Sequence, residues 1–267
     1  MNESWANVDG LKIRYLESGV GATRHVLFIH GLGSAADRWM RIPQDLSSDF
    51  HCVAIDLPGF GESDKPGNMD YTIDAFRKII ISFLKEIKIQ GQELNLIGHS
   101  LGGYIASEIA IQNQNYIRKL VLIDSSGMLE QPTPILDEYF KAAINPTQEN
   151  VRKAFEKMVA DPQRIPQPLV DGFIRRIKMP NAKQAFESAL INSATTQIGE
   201  DRLRKINPIS TLILWGVHDK VIPLEQSKFF KENIKDSRLE IIDDSGHAPF
   251  AEKPSHVCKL LRNFLSS

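Results

Sequence analysis

Two cysteines are all that the 267 residues contain. Cys52 lies in an apolar strand-like run and Cys258 in a terminal helical pattern, a number and spacing that exclude a disulfide framework or a paired-cysteine zinc site. They read as two buried free thiols. A charge surplus is also missing: 32 Lys and Arg stand against 33 Asp and Glu, a net charge of -1, with the signs interspersed. No single-signed field is available for a nucleic acid or an anionic membrane, so neither is an expected partner. No apolar run approaches the roughly 20 residues that cross a bilayer. The opening "MNESWANVDG" has neither the basic start nor the apolar core of a secretory leader. The expectation is a soluble, cytoplasmic protein, monomer or homodimer, free of repeats and low-complexity tracts.

What is present is an alternation. Short apolar runs occur at Lys12 to Leu16, His25 to Ile29, Cys52 to Ile55, Leu94 to Ile97, Leu120 to Ile123, Thr211 to Leu214 and Leu239 to Ile242. Most are continuously apolar, as parallel strands covered on both faces require. Between them, Tyr71 to Ile87 sets Ile73, Phe76, Ile80, Phe83 and Ile87 on one helical stripe, and His256 to Leu265 closes as another amphipathic helix. The alternation predicts an α/β fold with a doubly wound sheet. From about 130 to 207 it stops. Helical stretches at Asn150 to Ala160 and Ala182 to Thr195 are punctuated there by Pro132, Pro134, Pro146, Pro162, Pro166, Pro168 and Pro180, so several short helices are expected. The predicted organisation is a core of 1–129 and 208–267 carrying a helical cap at 130–207.

One serine stands out. Gly98-His99-Ser100-Leu101-Gly102 fits Gly-x-Ser-x-Gly between a strand and a helix, where a sharp turn lifts the hydroxyl into the open. A serine hydroxyl is a weak nucleophile at neutral pH and needs a base, with an acid to orient that base. "LEIIDDSGHAPFAEKP" offers His247 just after the last strand, and "LILWGVHDKVIP" offers Asp219 after the preceding one. Asp124, following Leu120 to Ile123, is a second candidate acid. Asp243 and Asp244 are expected to cap their turn, and His218 and His256 are badly placed for the base. His99 is expected to point away from its neighbour Ser100. A tetrahedral intermediate also needs N–H donors for its oxyanion. Leu101, at the head of a helix, and Leu32, within "HGLGS", are the candidates, with His30 bracing that loop.

Taken together, "HGLGS", "DLPGFGESDKP", "GHSLGG", "LWGVHDKVIP" and "SGHAPFAEKP", in this order, make the chain resemble the α/β-hydrolase superfamily. The resemblance implies an eight-stranded, mostly parallel sheet, a helical cap after the sixth strand, and no metal or organic cofactor. Serine at position 100 separates it from the dehalogenase and epoxide hydrolase branches, which carry aspartate there. The segment "VRKAFEKMVADPQRIPQPLVDGFIRRIKMPNAKQAF" resembles the cap of meta-cleavage-product hydrolases, which break carbon–carbon bonds in ring-fission dienoates. Those caps usually carry arginine where this chain has Phe173, and tryptophan follows their catalytic histidine where this chain has Ala248. Arg175 and Arg176 are expected to be solvated. A small-molecule carboxylic ester is therefore the first expected substrate and C–C hydrolysis the second. A ligand receptor without turnover is the reading from another class. Phe140, Phe155, Phe173, Phe186 and Phe250 are the candidates for an apolar substrate wall, Phe140, Phe173 and Phe250 foremost.

Overall fold

Valine, isoleucine and leucine fill a single sheet whose central strands are buried on both faces. The computed structural model describes residues 1–89 and 94–267. The strands are β1 (Asn2–Val8), β2 (Leu11–Ser18), β3 (His25–Ile29), β4 (His51–Ile55), β5 (Leu94–His99), β6 (Ile117–Ile123), β7 (Ser210–Gly216) and β8 (Ser237–Ile242). Their order is β1-β2-β4-β3-β5-β6-β7-β8. β2 runs antiparallel to both neighbours, and every pairing from β4 to β8 is parallel. This is the mostly parallel, eight-stranded sheet that the resemblance implied, seven of its strands falling on the apolar runs of the sequence. β1 was not among the predicted runs. Its sequence NESWANV is largely polar, because it is an edge strand with most side chains at the surface.

The helices are α1 (Arg41–Leu46), α2 (Ile73–Glu86), α3 (Leu101–Gln112), α4 (Pro134–Ile144), α5 (Gln148–Met158), α6 (Gln167–Ile177), α7 (Ala182–Ala194), α8 (Glu200–Leu203), α9 (Glu225–Asn233), α10 (Pro249–Glu252) and α11 (Pro254–Ser266). α3, in the middle of the fold, is buried from Leu101 to Ile111, so it is apolar nearly all round. α2 buries Ile73, Phe76, Ile80 and Phe83 beneath a Thr72 cap that accepts from the Ala75 N–H at 3.2 Å. No helix among the described residues is long and apolar enough to cross a membrane.

Between β6 and β7 the described chain is helical. α4 and α5 start at Thr133 and Thr147, whose hydroxyls accept from the third residue onward, and Pro134, Pro162 and Pro168 occupy first-turn positions where no N–H is needed. This insert is tied to the core by charge. Arg175 and Arg176 both reach Glu62, in the loop after β4, and Arg176 also reaches Asp37. The expectation that these two arginines are simply solvated is thus corrected. Their partners lie more than a hundred residues away along the chain, beyond any local pattern.

The arginine clasp pulls the Glu62 carboxyl down to about 2, first through its hydrogen bond to Arg175. A depressed carboxylate stabilises the fold fully above its unfolded value, and that contribution is lost as pH falls through the folded one. The melting-midpoint difference between wild type and Glu62→Gln is therefore expected to stay constant from pH 8 down to about 5 and shrink toward zero near pH 2. Its size should be that of partly exposed ion pairs, ~0.2–1 kcal/mol each. Calorimetry across that range checks it; a difference that grows on acidification refutes the clasp.

Candidate active site

At the end of β5 the backbone turns so sharply that Ser100 adopts φ 53° and ψ -120°, a strained conformation for a residue with a side chain. The turn is possible only because its flanks carry no Cβ. A methyl group on Gly98 would lie 2.2 Å from the Gly102 carbonyl oxygen, and one on Gly102 would lie 2.2 Å from that of Ile29. Ser100 thereby heads α3 at the wall of a cavity of about 110 Å³ between the sheet edge and the helical insert.

His247 comes to the same cavity from the loop after β8. Its backbone N–H donates to the Met158 carbonyl at the end of α5, 2.7 Å away. Gly246 lies so close to that segment that a Cβ would sit 2.4 Å from the Met158 oxygen. Glu252 gathers the loop further, accepting from the N–H groups of Gly246 and Ala248 with one oxygen and from Ala160 with the other. The imidazole Nδ1 stands 2.7 Å from Asp219 Oδ2. Asp219 Oδ1 accepts from the Val221 and Ile222 N–H groups at 2.7 and 3.0 Å, so the carboxylate is locked and aims one oxygen at the ring. An Nδ1–H donor leaves Nε2 as the basic nitrogen. No hydrogen bond is closed between it and the Ser100 hydroxyl; such contacts commonly tighten only when substrate is bound.

Asp124, the rival acid, does not bond the histidine. It is fully buried, and its Oδ1 accepts from the Gly216 N–H at 2.9 Å. As a carboxylate its Oδ2 would be buried without a donor. Burial, and then the charge of Asp219, hold Asp124 protonated well above the usual carboxylate range. Asp219, whose carboxylate lies within 4.8 Å, is the neighbour that favours the neutral form. Donor atoms of Asp124, Asp219 and His247 all lie within 4.8 Å of one another, the spacing of a metal site. The donor set does not suit a cation, because backbone N–H groups already point at Asp219 Oδ1 and a neutral acid faces its partner.

The flanking histidines divide their tasks. His30 joins the loops after β3 and β4, with Nδ1 2.8 Å from the Gly31 carbonyl and Nε2 accepting from the Leu57 N–H at 3.0 Å. Burial lowers its ionisation and keeps it neutral. His99 lines the cavity and makes no hydrogen bond to Ser100, donating instead from Nε2 to the His247 carbonyl at 2.6 Å. Burial, with the nearby His247, drives its ionisation well below the usual histidine range. It is a neutral strut under the histidine loop. His218 and His256 are exposed.

Leu32, on the loop after β3, lines the cavity with Ser100, and Leu101 follows Ser100 at the start of α3. Among the described residues neither N–H meets a backbone acceptor. Tyr139 of α4 donates its hydroxyl to the Leu32 carbonyl at 3.1 Å, bracing that loop from the insert. Of the five phenylalanines expected at the wall, Phe155 and Phe173 line the cavity and Phe140, Phe186 and Phe250 do not. Phe140 lies one helical position off the buried stripe Leu136, Tyr139 and Ala143, so Tyr139 faces inward in its place. Phe250 stacks on Trp39, with ring centroids 4.2 Å apart, and meets His99 edge-on. Leu136, Tyr139, Ile165 and Leu169 were the unforeseen lining residues.

A serine raised between strand and helix, facing a histidine held by an aspartate from the next strand end, is a family arrangement, and comparison bears on which family. The family model described as the alpha/beta hydrolase fold matches residues 24–254. The chain belongs to the α/β-hydrolase family. It is 27% identical to the 2-hydroxy-6-oxo-6-(2'-aminophenyl)hexa-2,4-dienoic acid hydrolase of Metapseudomonas resinovorans, over 99% of this chain and 91% of that one. It is 29% identical to Lipase 1 of Psychrobacter immobilis, over 91% and 77%. Among solved structures, the meta-cleavage product hydrolase of Pseudomonas fluorescens superposes with a TM-score of 0.88 over 98% of this chain and 97% of that one; at 24% identity this shows a shared fold. As a member of the α/β-hydrolase family, this protein is a hydrolase.

Proposed function

We propose that this α/β-hydrolase cleaves carboxylic esters of small to medium acyl chains through an acyl-enzyme. The observation that carries the reading is the 2.7 Å bond from His247 to Asp219, set beside Ser100 on one cavity. His247 Nε2 takes the Ser100 proton as the oxygen attacks the ester carbonyl, and Asp219 holds the tautomer and offsets the imidazolium charge. The N–H groups of Leu32 and Leu101 receive the oxyanion, the latter aided by the α3 dipole. The imidazolium gives its proton to the leaving alcohol. Water then attacks the acyl-serine with the same base and releases the acid.

C–C hydrolysis of ring-fission dienoates is the second reading, favoured by the 27% identical relative of that name. Phe173 and Ala248, which stand where those enzymes usually carry arginine and tryptophan, both line the cavity. Those departures lie in the pocket itself, which supports the ester over the dienoate. A panel of p-nitrophenyl esters of increasing acyl length, a thioester, a lactone and a ring-fission dienoate, assayed with wild type and Ser100→Ala, decides. Turnover of short and medium esters, lost in the variant, is expected. Turnover confined to the dienoate would reverse the ranking, and stoichiometric acylation without steady release would favour a receptor.

A further inference from the structure

The short helical turn Ala36–Trp39 sets Arg38 in the wall of the Ser100 cavity, on the segment that follows Leu32. Other arginines in this region have acidic partners. Arg14 meets Glu3, Asp37 and Asp56, Arg175 meets Glu62, and Arg176 meets Asp37 and Glu62. Asp37, the acid beside Arg38 in sequence, is thereby taken by Arg14 and Arg176. Among the described residues no hydrogen bond or ion pair closes on the Arg38 guanidinium, whose Cζ lies 6.0 Å from the Phe250 ring centroid. Glu252 is near enough to act on it electrostatically, but its oxygens are occupied by the N–H groups of Ala160, Gly246 and Ala248. Burial lowers the ionisation of Arg38, the direction taken by a cation short of compensation. Arginine nevertheless stays charged.

A cation in a largely apolar wall without a carboxylate partner is a cost to the free protein, and a ligand anion removes it. A single guanidinium offers two parallel N–H donors, the geometry that fits one carboxylate. We propose that Arg38 recognises a carboxylate on the substrate, so that the preferred ester carries a second, ionised carboxyl group, as in the monoester of a dicarboxylic acid. The bond cleaved follows from the ester reading above; the anion site stands on Arg38 alone. Because Arg38 and Ser100 share one small cavity, the free carboxylate and the scissile carbonyl must be only a few methylenes apart.

The test compares kcat/KM for the monomethyl esters of succinic, glutaric and adipic acids with the neutral dimethyl esters of the same acids, read by acid release at constant pH. In wild type the best monoester should exceed its diester by about 10- to 100-fold, mainly through KM. Arg38→Gln should bring that ratio close to one, and Arg38→Lys should retain part of it, keeping the charge without the fork. Diesters equal or preferred at every length in wild type would overturn the proposal without any variant, as would a preference that survives Arg38→Gln. Absence of turnover of both ester types would defeat the ester reading instead. The anion site is then read by calorimetry on Ser100→Ala, with glutarate and adipate against glutaramide and adipamide. Selective diacid binding that disappears when Arg38→Gln is added upholds it, and equal or absent binding overturns it.

Discussion

Replacing Ser100 by alanine is expected to lower kcat for ester hydrolysis by on the order of 10⁶, and replacing His247 by alanine should cost about as much. The double replacement should be little worse than either alone. The two side chains act as one unit: without the hydroxyl there is nothing for the base to activate, and without the base the hydroxyl stays protonated. What should survive is substrate binding and the oxyanion stabilisation proposed for Leu32 and Leu101. The folded state should be nearly unchanged by Ser100→Ala, since the hydroxyl makes no hydrogen bond that the fold depends on. Steady-state kinetics on the single and double variants, with melting midpoints alongside, check both points. Losses that multiply in the double variant would mean that Ser100 and His247 serve separate steps.

The two neighbouring aspartates should respond to the same substitution in opposite ways. Asp219→Asn is expected to reduce kcat about 10⁴-fold, because the amide cannot hold the imidazole in the required tautomer or balance its charge. Asp124→Asn should cost less than about 10-fold. Asp124 is held as a neutral acid, and an amide keeps its acceptor toward Gly216 without placing a charge beside Asp219. Asp124→Ala removes that acceptor, leaves the buried Gly216 N–H without one, and should lower stability by about 1–3 kcal/mol. Kinetics on the two Asn variants discriminate. If Asp124→Asn proved the more damaging, Asp124 rather than Asp219 would be the group that orients His247.

The parts legible in the sequence are those written in consecutive residues. Parallel strands buried on both faces leave uninterrupted apolar runs, and the glycines of "GHSLGG" mark a bend no other residue permits, so Ser100 and its setting could be read directly. Asp219 and His247 were readable because each follows the end of a strand by a few polar residues. β1 was illegible for the opposite reason: an edge strand with Trp5 40% exposed needs no apolar run. The cavity wall depended on helix phase, which put Tyr139 inward and Phe140 aside, and on a ring stack that claimed Phe250. The links of His99 to the His247 carbonyl and of Arg175 to Glu62 join residues 148 and 113 positions apart. No local pattern encodes such pairs.

The seam between Met158–Ala160 and the histidine loop limits how the cavity can widen. A swing of the whole insert as one rigid flap would strip the N–H of His247 from Met158 and that of Ala160 from Glu252, displacing the base as the entrance opened. The end of α5 is therefore a fixed abutment. On the far side α6 is held by charged side chains, whose parting from Glu62 would break no bond to the imidazole loop. The bonds that place the base and the ion pairs that close the insert are thus carried by different helices.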